Sequence, residues 1–461
     1  MVRSAVAEES LLNYLLNLAK SDVCSVGLIL GQPSPTKDYV IHFAKTPPCE
    51  EDKQSLKMKP VKSINDYLDV WVADHAKHAT RMLPGGMYVL GIFVVSQDDL
   101  LVPFSPKIKS ILNKIHKQLS INNFLHGNPD NSERIVVNLS SKTLMYGIKC
   151  YDPTTSIVRP AELKFQPKPT KWKQLECKYE LNQVFPLPEN DIDFSLKQHM
   201  TDILEMLKVN LKSAIFALDG EIREPDEHIE GLDKKKKSQT KLSDAPISVS
   251  VYLPCDCKEI SQPVNVLNYG GHIKLTGQVA CKIWLNPKAT VRSATKALTE
   301  DLVRSLAARL DMHWDSLIEE EHGSPEGIYY TYFYLIETAY LYYATVDTNS
   351  IHEPPRRVLV QLPNSEVTLS DYLFPGEGPQ EAQISLQELL DIRVAEKDTI
   401  KDIEGQADLV DMYNETLESE SHEGAGKQPE TSKMMYILGL GVAFTVLVVS
   451  IILHLLRTYY F

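Results

Sequence analysis

His75 and His78 stand three residues apart in a stretch of helical spacing, so both imidazoles fall on one face, an arrangement that can hold a metal ion. The pair sits within an apolar stripe of Ile64, Leu68, Trp71, Val72, Ala79 and Met82, with no Glu or Cys at ligand spacing. That setting favours a hydrogen-bonded core histidine over a metal ligand. Cys255 and Cys257 form a C-x-C, but no second pair follows at zinc spacing, and they read as ordinary thiols. The seven cysteines (Cys24, Cys49, Cys150, Cys177, Cys255, Cys257 and Cys281) are odd in number and scattered, which suits reduced thiols in the cytosol. A cysteine nucleophile meets its histidine only in space, so a thiol enzyme stays open on sequence grounds. The chain has no G-x-S-x-G, no G-x-x-x-x-G-K-[ST] and no G-x-G-x-x-G after a strand.

The elements that would position such residues read as a mixed α/β fold. A short helix is predicted over 10–19, then strands over 23–30 and 39–44, a helix over 64–83 closed by Pro84-Gly85-Gly86, and a strand over 87–95. A basic amphipathic helix follows Pro106, then strands near 135–139, 143–151 and 157–165, and a helix over 194–218. Residues 220–245 turn charged, with Lys234 to Lys237 in a row, and read as a solvated linker. Strands over 247–253 and 273–285, a long helix over 291–319, and closing strands near 357–362 and 372–375 make a second α/β unit. The resulting partition is a first domain over 1–219, the linker 220–245, a smaller domain over 246–395, an acidic disordered tether over 396–433 and a terminal span over 434–456. The net charge of -13 argues against nucleic acid as a partner.

The span is the stretch MMYILGLGVAFTVLVVSIILHLL, without a formal charge between Lys433 and Arg457. As a helix it would cover roughly 34 Å, enough to cross a hydrocarbon core of about 30 Å. Met434, Tyr436, Gly439, Ala443 and Leu456 mark this anchor from end to end, and Gly439 with Ala443 offers a small-x-x-x-small face for helix packing. Glu8 and Glu9 stand where a signal peptide needs a basic region and a clean apolar run. The expected topology is therefore a single-pass tail anchor with the bulk of the chain in the cytosol. Residues 327–346 form a second apolar stretch, but Glu337 and seven tyrosines favour a strand there over a second membrane segment.

The order of elements in the first domain, with VCSVGLILG leading and MYVLGIFVVSQ following the helix, resembles the JAB/MPN metalloprotease fold. Active members end the second motif in G-x-x-H-x-H, whose imidazoles bind zinc beside a Ser-x-x-Asp and an upstream Glu. The matching stretch here is Gly91 to Gln97, which places Val94 and Ser96 where the two histidines belong. Ser105 is present downstream without its Asp, and no Glu precedes Gly27 in the first strand motif. The resemblance implies a pseudo-peptidase with no metal and no cofactor. A cryptic metal- or thiol-dependent peptidase is the alternative.

Along nearly its full length the chain resembles the odorant-response-abnormal-four (odr-four) family, through LLNYLLNLAKSDVCSVGLILGQ, PGGMYVLGIFVVS, PPRRVLVQLP, DYLFP and the single C-terminal span. That resemblance implies a non-catalytic membrane adaptor that helps a subset of G-protein-coupled receptors, odorant receptors among them, reach their destination. The first domain is also similar to the non-catalytic N-terminal part of a protease acting on a Ufm-type modifier. JAB/MPN domains commonly pair, so the resemblance makes that protease an expected partner.

Overall fold

Alternating and continuous apolar strands near the N-terminus roll into a barrel. β1 (Arg3–Glu8) runs directly into α1 (Glu9–Leu18), and β2 (Ser25–Gln32) turns back on β3 (Asp38–Lys45). This is a computed structural model that describes residues 2–21, 23–35, 37–48, 61–129, 131–188, 196–231, 245–253, 269–322, 354–363, 365–393 and 400–404. The helix expected over 64–83 is broken. A short 3₁₀ turn, Ile64–Asp66, is capped by Ser63, and α2 (Asp69–Arg81) starts only after Tyr67 and Leu68 leave the helical conformation. The break lets the Tyr67 hydroxyl reach the first strands, donating to the Cys24 carbonyl at 3.2 Å and accepting from the Val26 amide at 3.3 Å.

β4 (Tyr88–Ser96) follows, then α3 (Pro106–Leu119) with proline in its first turn, and the one-turn α4 (Asn123–His126), capped by Asn122. β5 (Arg134–Ser140), β6 (Tyr146–Asp152) and β7 (Ile157–Gln166) complete the barrel in the order β1-β3-β2-β4-β5-β6-β7, and β7 closes on β1 in parallel. Because side chains alternate across a strand, each wall serves two cores. Ile29, Phe43, Phe93 and Val137 pack with Leu15 of α1. Leu28, Ile92, Val94 and Val136 pack against Ala73 and Ala76 of α2 and Ile108 and Ile111 of α3. Each such side chain contributes about 1.5–3 kcal/mol by leaving water.

The next strand, β8 (Lys173–Pro188), was not anticipated, although Leu175, Cys177, Tyr179 and Leu181 alternate strictly with polar residues and all four are buried. α5 (Leu196–Ser213) ends before the expected 218, and its last apolar residues form β9 (Ile215–Leu218). β10 (Glu221–Ile222), β11 (Ile247–Tyr252) and the long β12 (Tyr269–Leu285) join them in a sheet of order β10-β9-β11-β8-β12. The sheet therefore takes strands from both sides of the expected boundary at 219. The expected linker also begins as ordered structure. Ile229 is buried, and the Glu227 and Pro225 carbonyls accept from the Val291 and Arg292 amides at 2.9 and 2.7 Å. Those contacts satisfy free amides at the start of α6 (Val291–His322).

α6 ties the sheet to the barrel. Arg304, fully buried, donates from Nη1 to the carbonyls of Leu83, Pro84 and Met87 at 2.9, 3.0 and 3.2 Å, and so holds the turn that feeds β4. Gly85 in that turn lies so close to the helix that a Cβ would stand 2.0 Å from the Ala297 carbonyl oxygen. Its amide donates to Asp301 at 2.8 Å. Asp301 in turn takes both Nη atoms of Arg357, at 2.7 and 2.9 Å, and the same guanidinium reaches Ser370 and the Ala280 carbonyl.

Arg357 belongs to β13 (Arg356–Gln361), which pairs with β14 (Thr368–Leu373). α7 (Pro379–Leu390), also unanticipated, puts Leu386 and Leu390 into the same core as the α2 face of the barrel. The expected tether does not begin at 396 as open chain throughout: β15 (Ile400–Asp402) pairs with Val358–Val360, and Glu404 is buried against Arg309 at 2.5 Å. Eleven acids against three bases over 396–430 concealed a short strand whose Ile400 is buried. All described residues fall within one unit, Met1–Ala407, so the expected domains 1–219 and 246–395 form one body. The segment 327–346 and the span 434–456, with Met434, Tyr436, Gly439, Ala443 and Leu456, lie outside the described residues. Among the described residues no helix is long and apolar enough to cross a membrane.

Candidate functional site

β4 carries Val94 and Ser96 on one face, two residues apart, toward α2 and α3. Val94 is completely buried and presents only methyl groups. The Ser96 hydroxyl donates to the Asp98 carbonyl at 2.8 Å and lies 3.3 Å from Asn138 Oδ1. Ser105 stands before the first turn of α3, and its amide donates to the Leu100 carbonyl at 2.9 Å. At the two expected ligand positions a hydrocarbon and a committed hydroxyl do not fit a zinc ion, which needs free lone pairs.

His75 is a satisfied core histidine. It lies 2.5 Å through Nε2 from the Leu389 carbonyl and 3.1 Å through Nδ1 from the Thr46 hydroxyl. The first contact requires the proton on Nε2, leaving Nδ1 to accept from Thr46. Four cysteines, Cys24, Cys150, Cys177 and Cys281, are buried among the described residues. Burial pushes the thiols of Cys24, Cys150 and Cys177 up to about 12 and that of Cys281 well above the ordinary value. At neutral pH they stay protonated, the opposite of what a thiolate nucleophile needs. Cys49, Cys255 and Cys257 lie outside the described residues.

The other end of β4 borders a pocket that sequence reading missed. Its space of about 110 Å³ lies between Tyr88 and Val89 of β4, the C-terminal end of α3, the α4 turn and the start of β5. Thr80, Val89, His126 and Arg134 are its buried wall, and Ser120, Asn123 and Asn128 are exposed at its rim. Gly127 allows the turn at φ +68°, where a Cβ would meet Arg304 Nη2 at 2.8 Å and the Tyr88 ring at 2.9 Å. The Tyr88 hydroxyl donates to Glu300, and Arg304 lies over the Tyr88 ring at 5.7 Å.

Arg134 is 6% exposed, yet among the described residues it makes just two hydrogen bonds, 3.5 Å contacts from Nη1 to the carbonyls of Asn131 and Glu133. Its Nε and the Nδ1 of His126 are buried without partners among the described residues. Burial, with Arg3 next, holds the Arg134 guanidinium down to about 10. Burial, then the cations Arg304, Arg81, Lys77 and His78, holds His126 down to about 3.

The buried histidines set a pH response. Burial also pushes His75 and His313 down to about 4, against an ordinary 6.5. A histidine kept neutral by folding gives its full stability above about pH 6.5, and that stability is lost as pH falls from 6.5 toward 4 while the unfolded chain gains protons. Urea unfolding at pH 7.5 and pH 5 should show a loss on the order of 1–2 kcal/mol per buried histidine. His75→Gln should flatten that slope.

Sequence comparison identifies the lineage. A family model described as "Odorant response abnormal 4-like" matches residues 27–401. The human "Protein odr-4 homolog" is 26% identical over 467 residues, covering 98% of each chain. The "Odorant response abnormal protein 4" of Caenorhabditis elegans is 24% identical over 370 residues, 78% of this chain and 70% of that one. Among solved structures, the crystal structure of UfSP from C. elegans matches with a TM-score of 0.40 at 10% identity, covering 85% of this chain and 57% of that chain, little more than half its length. With the family model spanning far more than half of its length, this chain belongs to the odorant response abnormal 4-like family.

Proposed function

We propose that the protein is a non-catalytic membrane adaptor that assists the trafficking or maturation of a subset of G-protein-coupled, odorant-type receptors. The observation that carries this reading is the match over 98% of both chains to a protein named as an odr-4 homolog, alongside a relative named for an abnormal odorant response. The residues at Val94 and Ser96 support a non-catalytic role, since neither supplies a metal ligand. In this reading Met434 to Leu456 anchors the chain in the endoplasmic reticulum membrane, and the barrel is the surface on which a Ufm-type modifier protease docks. The chain's 23 uncharged residues there supply the length and apolarity an anchor needs.

The test is an odorant receptor reporter in cells carrying the full chain, no chain, or a chain whose residues 434–456 are replaced by an unrelated anchor. Surface receptor should fall several-fold without the chain. Retained delivery with the foreign anchor assigns the span to anchoring alone, and lost delivery assigns Gly439 and Ala443 a contact role. Receptor levels indifferent to the whole chain would overturn the reading. Co-purification with and without residues 434–461 separates partners that need the membrane from those that bind the body.

A further inference from the structure

We propose that the pocket between β4, α3, α4 and β5 binds a small carboxylate, with Arg134 as its charge partner, His126 and the rim side chains as hydrogen-bond partners, and an apolar wall for a short tail.

The first support is an imbalance of charge. A guanidinium removed from water is costly unless a carboxylate and a full set of acceptors replace its hydration. Arg134 is nearly buried, has no carboxylate within ion-pair distance among the described residues, and makes only two hydrogen bonds at the outer limit of length. The acids whose fields reach it are already engaged. Asp38 pairs with Arg3 at 2.6 Å, and Asp152 accepts from Ser132, Thr154 and Thr155 at 2.7–3.0 Å. Among the described residues Arg134 is therefore a fork of donors lining a cavity without a carboxylate to receive it.

The second support is the chemistry of the lining. No Asp or Glu lines the pocket among the described residues, and His116, His126 and Arg134 do. Arg304, Arg81 and Lys77 act on His126 from the protein side, while the nearby Glu300 carboxylate is engaged by the Tyr88 hydroxyl, so the field at the cavity favours an anion. The neutral His126 ring has a buried Nδ1 that can donate, and the Asn123 and Asn128 amides at the rim add neutral donors, whereas the Ser120 hydroxyl donates to the His116 carbonyl at 2.7 Å.

The third support sets the anion's size and valence. About 110 Å³ exceeds the roughly 10–15 Å³ needed by one water and accommodates a short acid. One full cation with a neutral imidazole balances one negative charge, and a bidentate guanidinium matches a carboxylate in geometry. A phosphate dianion would leave a second charge in a mostly buried site. Val89 and Leu119 supply the apolar wall for two or three carbons. The source can be a free short-chain acid or the terminal carboxylate of a peptide, since both offer the same head. The site lies at the far end of β4 from Val94 and Ser96, roughly 17–26 Å along the strand, so it is separate from the lost metal positions.

Ligand-observed saturation-transfer NMR with sodium propionate on the full chain in a neutral detergent tests this. The expected result is a saturable methyl signal that weakens about tenfold or more in Arg134→Met, the loss of one charge-assisted pair. Ser120→Trp closes the rim from an exposed position, leaves Arg134 intact, and should abolish the signal equally. A C-terminally free tripeptide and its amide then separate the sources: competition by the free peptide alone points to a chain terminus, and no competition by either points to a small acid. No saturable propionate signal, binding unchanged in Ser120→Trp, or inorganic phosphate competing as well as propionate would each overturn the proposal.

Discussion

Asp301→Ala is expected to destabilise the body by about 3–5 kcal/mol, read as a lower midpoint in urea unfolding. The carboxylate holds Arg357 through both oxygens, and both side chains are 1% exposed. Removing it leaves a guanidinium with only the Ser370 hydroxyl and the Ala280 carbonyl, and it frees the Gly85 amide from its acceptor. The cost is that of an uncompensated buried charge, not the modest net worth of the pair. A double replacement, Asp301→Leu with Arg357→Met, should therefore be much less harmful than Asp301→Ala alone. If the double variant is as unstable as the single one, the damage comes from packing and not from charge.

Glu404→Ala is the second large effect, again about 3–5 kcal/mol. Its carboxylate takes Arg309 at 2.5 Å, the Arg357 amide at 2.8 Å and the Ala280 amide at 3.3 Å, so it joins α6, β12 and β13. Without it Arg309, 2% exposed, keeps among the described residues the Ser305 hydroxyl at 3.1 Å and the Tyr372 ring at 5.8 Å, neither of which carries a countercharge. Glu404→Gln should cost less than Glu404→Ala, because its one amide oxygen can still accept from Arg309 and the Ala280 amide, while its NH2 faces the Arg357 amide and loses that bond. A chain ended at 395, where the sequence places the start of an open tether, should lose β15 as well and unfold at lower urea than one ended at 407. Equal stability of the two truncations would remove Glu404 from the list of groups that hold the body together.

Much of the barrel was legible in the sequence because its signals are local. The apolar runs of β2 and β4 and the spaced isoleucines of α3 each reveal one element from a few residues. Val94 fell within the strand expected over 87–95 from its apolar and β-branched residues, whereas Val94 and Ser96 were singled out as site positions by the family resemblance. The partition into domains was not legible. Asp301, Arg304 and Arg309 of α6 are all buried, because their partners Arg357, the turn carbonyls at 83–87 and Glu404 come from distant segments that no local pattern connects to the helix. A charge signals a surface only while its counterion is unseen. The pocket failed for the same reason: His116, His126 and Arg134 lie on three different elements, and none of them is in a motif. β8 is a different case, since its alternation was present in the sequence and only its length and charges masked it.

The parallel closure of β1 on β7 has a consequence for synthesis. Arg3 pairs with Ala161, so the first strand to be made finds its main partner about 160 residues later. At a synthesis rate of about 5–20 residues per second, that interval is on the order of 8–30 seconds. β3 covers only two residues of β1 on its other side, Ala5 and Val6. For that time most of β1 is an open strand edge on a nascent chain, able to pair with a neighbouring one. The barrel is thus one that must be shielded before it can close, and crowded polysomes are where it is most exposed to misassembly.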